Sequence, residues 1–193
     1  MIIGFIGAGN MARAIICGVL ESGVASRDEV RASDPSIAAQ HSVREELGVE
    51  VIANNAELAA WADVLVLAVK PIMLERVITD VRESLLDKAL VISIAADKQI
   101  EWIEGAFWRP VSLVRVMPNT PALVGKGVSG LCANERATAA DRAVAEQIFN
   151  AVGDCYWLSE PMIYVIGAVA GSSPAFGAMF IEALADAAVA EGM

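Results

Sequence analysis

Ile2-Ile3-Gly4-Phe5-Ile6-Gly7-Ala8-Gly9-Asn10-Met11-Ala12 runs an apolar stretch straight into Gly7-x-Gly9-x-x-Ala12, and a helical pattern follows at once. A strand, a glycine turn and a helix start in immediate succession are the context in which this spacing holds a dinucleotide. Gly7 permits the tight turn, Gly9 lets the backbone approach a pyrophosphate with no Cβ in the way, and Ala12 lets the helix lie close on the strand. The free N–H groups of the first helical turn then face the phosphates. An ordinary strand–turn–helix built of small residues is the plainer alternative.

Outward from this turn, strand-like and helix-like segments alternate through residue 158. That is the pattern of an α/β, Rossmann-type, doubly wound and mainly parallel sheet. Strands are expected over residues 2–6, 29–33, 49–53, 63–69, 89–94, 111–117, 128–133 and 155–158, with helices over 10–22, 36–47, 56–61, 71–86 and 139–152. The run 63–69 is apolar on both faces, as a central parallel strand must be. From residue 159 the pattern is helical only. The division expected is therefore a dinucleotide-binding domain (1–158) and the beginning of an all-helical dimerisation or substrate domain (159–193), which reads as truncated.

Residues 161–181 contain no charged side chain, a length that suggests a membrane span. Gly171-Ser172-Ser173-Pro174 interrupts the run, however, with Ser173 placed as an N-cap and Pro174 at the first helical position. The segment is thus expected as two helices buried against protein. No basic region precedes the N-terminal apolar residues, so no signal peptide is expected.

A net charge of −10 leaves nothing to neutralise nucleic-acid phosphates or to favour an anionic membrane. Cys17, Cys132 and Cys155 are scattered, odd in number and without C-x-x-C spacing, which reads as reduced, buried thiols in a cytoplasmic protein. His41 is the only histidine. It has no partners for a triad or a multi-histidine metal site, and no metal is expected.

In an open parallel sheet, ligands bind beyond the carboxyl ends of the strands. Four such ends carry distinctive chemistry: the glycine turn, Asp34 after strand two, Lys70-Pro71 after the central strand, and Asn119 between Pro118 and Pro121. Asp34 is placed to hydrogen-bond ribose hydroxyls, although Asp34-Pro35-Ser36 reads equally as a turn and helix cap. Lys70 reads otherwise as a solvated charge, and the Asn119 loop as a turn. Ser172 and Ser173, at the expected helix start, would suit a substrate carboxylate.

Taken together, Gly4-Phe5-Ile6-Gly7-Ala8-Gly9-Asn10-Met11-Ala12, Leu67-Ala68-Val69-Lys70-Pro71, Ser93-Ile94-Ala95-Ala96, Arg115-Val116-Met117-Pro118-Asn119-Thr120-Pro121 and Gly171-Ser172-Ser173-Pro174-Ala175-Phe176 resemble pyrroline-5-carboxylate reductase across nearly all 193 residues. The resemblance implies hydride transfer from NAD(P)H to the imine of 1-pyrroline-5-carboxylate, giving L-proline. It implies cofactor contacts at Ile6, Gly7, Ala8, Gly9, Asn10 and Met11, at Asn55, at Ala68, Val69, Lys70 and Pro71, and at Ile94, Ala95 and Ala96. It also implies a homodimer, or a larger homo-oligomer, joined through the C-terminal helices.

The chain departs from the family pattern where a Gly-Gly-Thr-Thr-like segment that helps build the substrate pocket is absent. Gly171-Ser172-Ser173-Pro174-Ala175 also stands for the commoner Gly-Ser-Gly-Pro-Ala, and Ile72 for a frequent glutamine. No catalytic residue is assigned. Asp34 would repel a 2′-phosphate and no arginine follows it immediately, which favours NADH; the resemblance favours NADPH. Two further readings stand beside the reductase: a dinucleotide-binding module without catalysis, and a β-hydroxyacid dehydrogenase. The latter family uses a lysine in its interdomain helices, and no lysine follows Lys126.

Overall fold

The computed structural model describes residues 1–193. Its frame is one sheet of eight strands: β1 (Ile3–Ile6), β2 (Val30–Ser33), β3 (Glu50–Ile52), β4 (Val64–Leu67), β5 (Leu90–Ser93), β6 (Ser112–Met117), β7 (Gly127–Ala133) and β8 (Gly153–Trp157). The spatial order is β3-β2-β1-β4-β5-β6-β7-β8, and every pairing is parallel except β6 with β7. The order reverses between β1 and β4, and at such a switch point a crevice opens at the carboxyl ends of the strands. Register makes that rim level: Ile6 is paired with Ser33 on one side and Leu67 on the other, and Leu67 with Ser93.

The alternation of side chains along each strand fills two separate cores. In β4, Val64 and Val66 face one layer, while Leu65 and Leu67 face the other. The first layer takes Ile15, Ile16 and Val19 from α1 (Asn10–Glu21) and Ile148 and Phe149 from α6 (Ala139–Asn150), with Ala39 of α2 (Ile37–Ser42) packed half-buried against it. The second takes Leu58 from α3 (Asn55–Trp61), Leu74 and Ile78 from α4 (Leu74–Val81), and Ile103 and Phe107 from α5 (Ile100–Phe107). Burying each such side chain contributes about 1.5–3 kcal/mol relative to leaving it exposed. Two helical layers therefore hold the sheet from both faces, the α/β doubly wound class expected from the sequence.

Three local expectations need correction. Helix α5 is absent from the expected segments, and the helix after Pro71 ends at Val81 rather than near residue 86. The third concerns the C-terminal segment. It is one helical run from Glu160 to Ala190, with α7 (Glu160–Ile166), a π turn (Gly167–Gly171) and α8 (Ser172–Ala190) in sequence.

Gly171 is right-handed helical at φ −72° and ψ −37°, so the chain enters α8 with no break in the helical backbone. The Ser173 hydroxyl donates to the Val169 carbonyl one turn back instead of capping. Pro174 has no N–H to give to the Ala170 carbonyl, and the Asn119 amide donates there instead at 3.0 Å. A tertiary donor thus carries the helix through the proline. The run is not buried within the chain either: Ile163 is its one buried residue, while Phe176, Phe180 and Leu184 are more than half exposed. By length and composition this helix is apolar enough to cross a membrane.

Candidate functional site

The glycine turn is fixed by sterics and by one carboxylate. Gly7 adopts φ +100°, and a Cβ there would stand 2.5 Å from the Ala68 carbonyl oxygen, so the position admits glycine alone. Gly9 is the opposite case, because a Cβ added there would meet nothing within 4 Å. The space beside it is open groove, of the kind a pyrophosphate needs. Ala8, itself buried, donates its N–H to Asp34 Oδ2 at 2.8 Å, while Asp34 Oδ1 accepts the Ser36 N–H at 2.8 Å. Asp34 therefore both caps its own turn and ties the glycine loop to the end of β2.

Gly9 is the N-cap of α1, which has no side-chain cap and no acidic residue in its first turn. The N–H groups of Asn10, Met11 and Ala12 find no backbone acceptor. Unpaired donors and the positive end of the helix dipole make this an electrostatic seat for an anion.

Two hollows meet over this turn. The first, of about 490 Å³, is lined by Ile6, Gly7 and Gly9, by Ser33, Asp34 and Pro35, by Ala53 and Asn55, by Ala68, Val69 and Lys70, and by Met73, Arg76, Val77 and Asp80. The second, of about 310 Å³, is lined by Gly9 to Ala12, Ala68 to Lys70, Ile94, Ala96, Met117 and Pro118. They share Gly9, Ala68, Val69 and Lys70, so they form one groove across the ends of β2, β1, β4, β5 and β6. An extended, two-ended anionic ligand fits that shape, with its charged middle over α1.

Most of the residues singled out in the sequence line this groove, but not all. Ala8 and Ala95 are buried, and Ala95 directs its N–H to Ser93 Oγ at 3.4 Å. Pro71 opens the 3-10 turn Pro71–Met73 beside Lys70, and neither hollow touches it. Asn119 is 7% exposed and fully committed: its amide holds Ala170 and its Oδ1 accepts the Val128 N–H at 2.8 Å. It ties the loop after β6 to β7 and to the C-terminal helix.

Ser172 and Ser173 line neither hollow, but the π turn before them packs on Met117, whose Cε lies 3.1 Å from where a Cβ on Gly167 would be. Asn55 lets its Oδ1 accept the Ser33 hydroxyl at 2.6 Å, and its amide nitrogen makes no bond.

One wall of the first hollow, built by Met73 and by α4, is not among the residues expected from the sequence. Met73, Arg76, Val77 and Asp80 recur at i, i+3, i+4 and i+7, the spacing of one helix face, and that signal was available. All three cysteines are free. Burial first, then Glu160 nearby, pushes the Cys132 thiol up to about 11, so it is a neutral core group rather than a nucleophile. His41 is exposed.

Comparison with known proteins places this geometry. A family model described as NADP oxidoreductase coenzyme F420-dependent matches residues 2–97, and one described as pyrroline-5-carboxylate reductase dimerisation matches residues 160–193. A pyrroline-5-carboxylate reductase of Pseudomonas aeruginosa is 41% identical over 186 residues, covering 96% of this chain and 68% of the relative. The structure of the corresponding enzyme from Coxiella burnetii superposes with a TM-score of 0.91 at 38% identity, over 99% of this chain and 71% of that one. The Plasmodium falciparum pyrroline carboxylate reductase, solved with NADP bound, gives 0.90 at 30% identity over 100% and 71%.

Proposed function

The chain belongs to the pyrroline-5-carboxylate reductase family, and from that premise we propose how its own residues divide the work. The reaction is reduction of the imine of 1-pyrroline-5-carboxylate to L-proline, and the cofactor is NADPH. When bound, the reduced nicotinamide supplies the hydride.

The observation that carries the assignment of roles is the continuous groove over the unpaired N–H groups of α1. Gly9, Asn10, Met11 and Ala12 seat the pyrophosphate there. The first hollow, with Asp34 and Asn55, takes the adenosine half, because the ends of β2 and β3 lie on that side of the switch point. The second hollow, between Ala68–Lys70, Ile94–Ala96 and Met117-Pro118, takes the nicotinamide. Asn119 and Ala95 shape this end from behind rather than touching the ligand.

The imine must carry a proton to accept hydride readily, so the site's task is orientation and electrostatic support rather than nucleophilic attack. Ser172, whose hydroxyl makes no hydrogen bond, opens α8 directly after the turn that packs against Met117 and is the substrate-side contact. Ser173 has already spent its proton on Val169 and serves to position that turn.

The exposed apolar face of Glu160–Ala190 is covered by a second copy of the chain, giving a homodimer or a larger homo-oligomer, rather than by lipid. The match of the dimerisation model to residues 160–193 supports this. The chain's acidity disfavours nucleic acid and anionic membrane alike, and its free thiols suit a reducing cytoplasm.

The test is direct. The full chain with NADPH should lose reduced-nicotinamide absorbance when 1-pyrroline-5-carboxylate is added. No loss beyond the rate without substrate would sink the enzymatic reading and leave a dinucleotide-binding module.

A further inference from the structure

An NADPH-using groove needs something to accept the 2′-phosphate, and β2 ends in the wrong charge for it. Asp34 lines the first hollow, and its two oxygens are already fixed on the Ala8 and Ser36 N–H groups. That carboxylate cannot swing away, because releasing those donors would loosen the glycine turn. Asp80 adds a second negative charge to the same hollow. Left alone, this end would repel a phosphate.

The compensating cation comes from α4. Arg76 lines the same hollow as Asp34, Asn55 and Asp80. It is exposed and makes no hydrogen bond or ion pair, whereas Arg13, Arg31, Arg82, Arg109 and Arg115 are all paired with carboxylates. Asp80, one turn further on, does not engage it. The second cation of the groove, Lys70, lies where the two hollows join rather than among Asp34, Asn55 and Asp80 alone.

We propose that Arg76 is the 2′-phosphate-binding, specificity-determining residue of this chain, acting with the free amide of Asn55 and against the field of Asp34. A planar guanidinium with paired donors suits a phosphate monoester, which presents two or three acceptor oxygens and close to two charges. Because Arg76 is exposed and packs in neither core, replacing it leaves the fold intact.

The inference rests on the placement of the adenosine half in the first hollow, and its test does not depend on turnover. Calorimetric titration of the full chain with adenosine 2′,5′-bisphosphate and with adenosine 5′-monophosphate isolates the phosphate contact. Arg76→Ala should weaken the bisphosphate about tenfold or more and leave the monophosphate within about twofold. Arg76→Lys should recover part of the loss, and rising salt should erase the difference between wild type and Arg76→Ala.

Unchanged bisphosphate affinity in Arg76→Ala, or an equal loss for both nucleotides, would overturn the proposal. In steady state the same variant should raise KM for NADPH and not for NADH. Absence of any substrate-dependent oxidation in wild type would instead count against the reductase reading and leave the titration result standing.

Discussion

The Arg115 guanidinium meets the Glu160 carboxylate at 2.9 Å, where β6 passes beneath the start of α7. Arg115 is 2% exposed, and the same Glu160 oxygen accepts the Ile100 N–H at 2.7 Å. One carboxylate therefore joins the sheet, α5 and the C-terminal helix, while the Tyr164 ring covers the guanidinium with its centroid 4.9 Å away. Glu160→Ala would leave a buried charge without a partner. For fully buried pairs that costs about 3–5 kcal/mol. Water reaches Glu160, so the expected loss in urea unfolding, at fixed chain concentration, is about 2–3 kcal/mol. Replacing both residues with apolar ones should recover much of it.

The two glycines of the turn should separate stability from binding. Gly7→Ala forces a side chain into a left-handed backbone and against the Ala68 carbonyl. It should lower unfolding free energy by about 1–3 kcal/mol. Gly9→Val points into open groove, so the melting temperature should hold while NADPH affinity falls more than tenfold, about 1.4 kcal/mol. Calorimetry and thermal melts on both variants check this.

Asn119 and Pro174 should be coupled although neither touches the other's side chain. Asn119→Ala leaves the Ala170 carbonyl and the Val128 N–H without partners, a loss of about 2–3 kcal/mol. Pro174→Ala supplies an N–H that can reach the Ala170 carbonyl along the helix. In that background Asn119→Ala should cost measurably less, and a double-mutant cycle in denaturant gives the coupling.

That coupling also shows why the break at Gly171–Pro174 could not be read from the chain. Gly-Ser-Ser-Pro is a sound local signal for a helix start. The donor that overrules it is 51 residues away, and its identity depends on a loop position that only the folded sheet fixes. The sheet was legible for the converse reason: β1, β4 and β5 are short apolar runs bounded by turn residues, so periodicity and burial agree. Asp34 lay between, because one carboxylate at the end of β2 can cap a turn or meet a ribose, and here its backbone bonds are visible only in three dimensions. The helix α5 carried Ile100, Ile103 and Phe107 on one face, but Gln99 and Trp108 are weak punctuation at its ends.

Alkaline pH should act through Cys132. Its thiol ordinarily ionises near 9.0 and is held up to about 11 in the fold, by burial first and then by Glu160. The unfolded chain therefore releases this proton first, and stability should fall as pH rises from about 9 to about 11. Cys132→Ala should flatten that slope in urea midpoints measured across the range.

The exposed stripe on α8 should govern assembly. Wild type in light scattering at micromolar concentration should give at least twice the 20.3 kDa chain mass. Phe180→Glu with Leu184→Glu, one helical turn apart, should give a monomer. A monodisperse wild-type monomer would contradict the proposed homo-oligomer.

The most direct test of the central claim follows the hydride itself. The full chain is incubated with 1-pyrroline-5-carboxylate and NADPH carrying deuterium at the transferable C4 position, and the product is read by mass spectrometry and NMR. L-proline labelled at the former imine carbon is expected, with much less of it formed by Gly9→Val at limiting cofactor. No L-proline, or L-proline without the label, would contradict it.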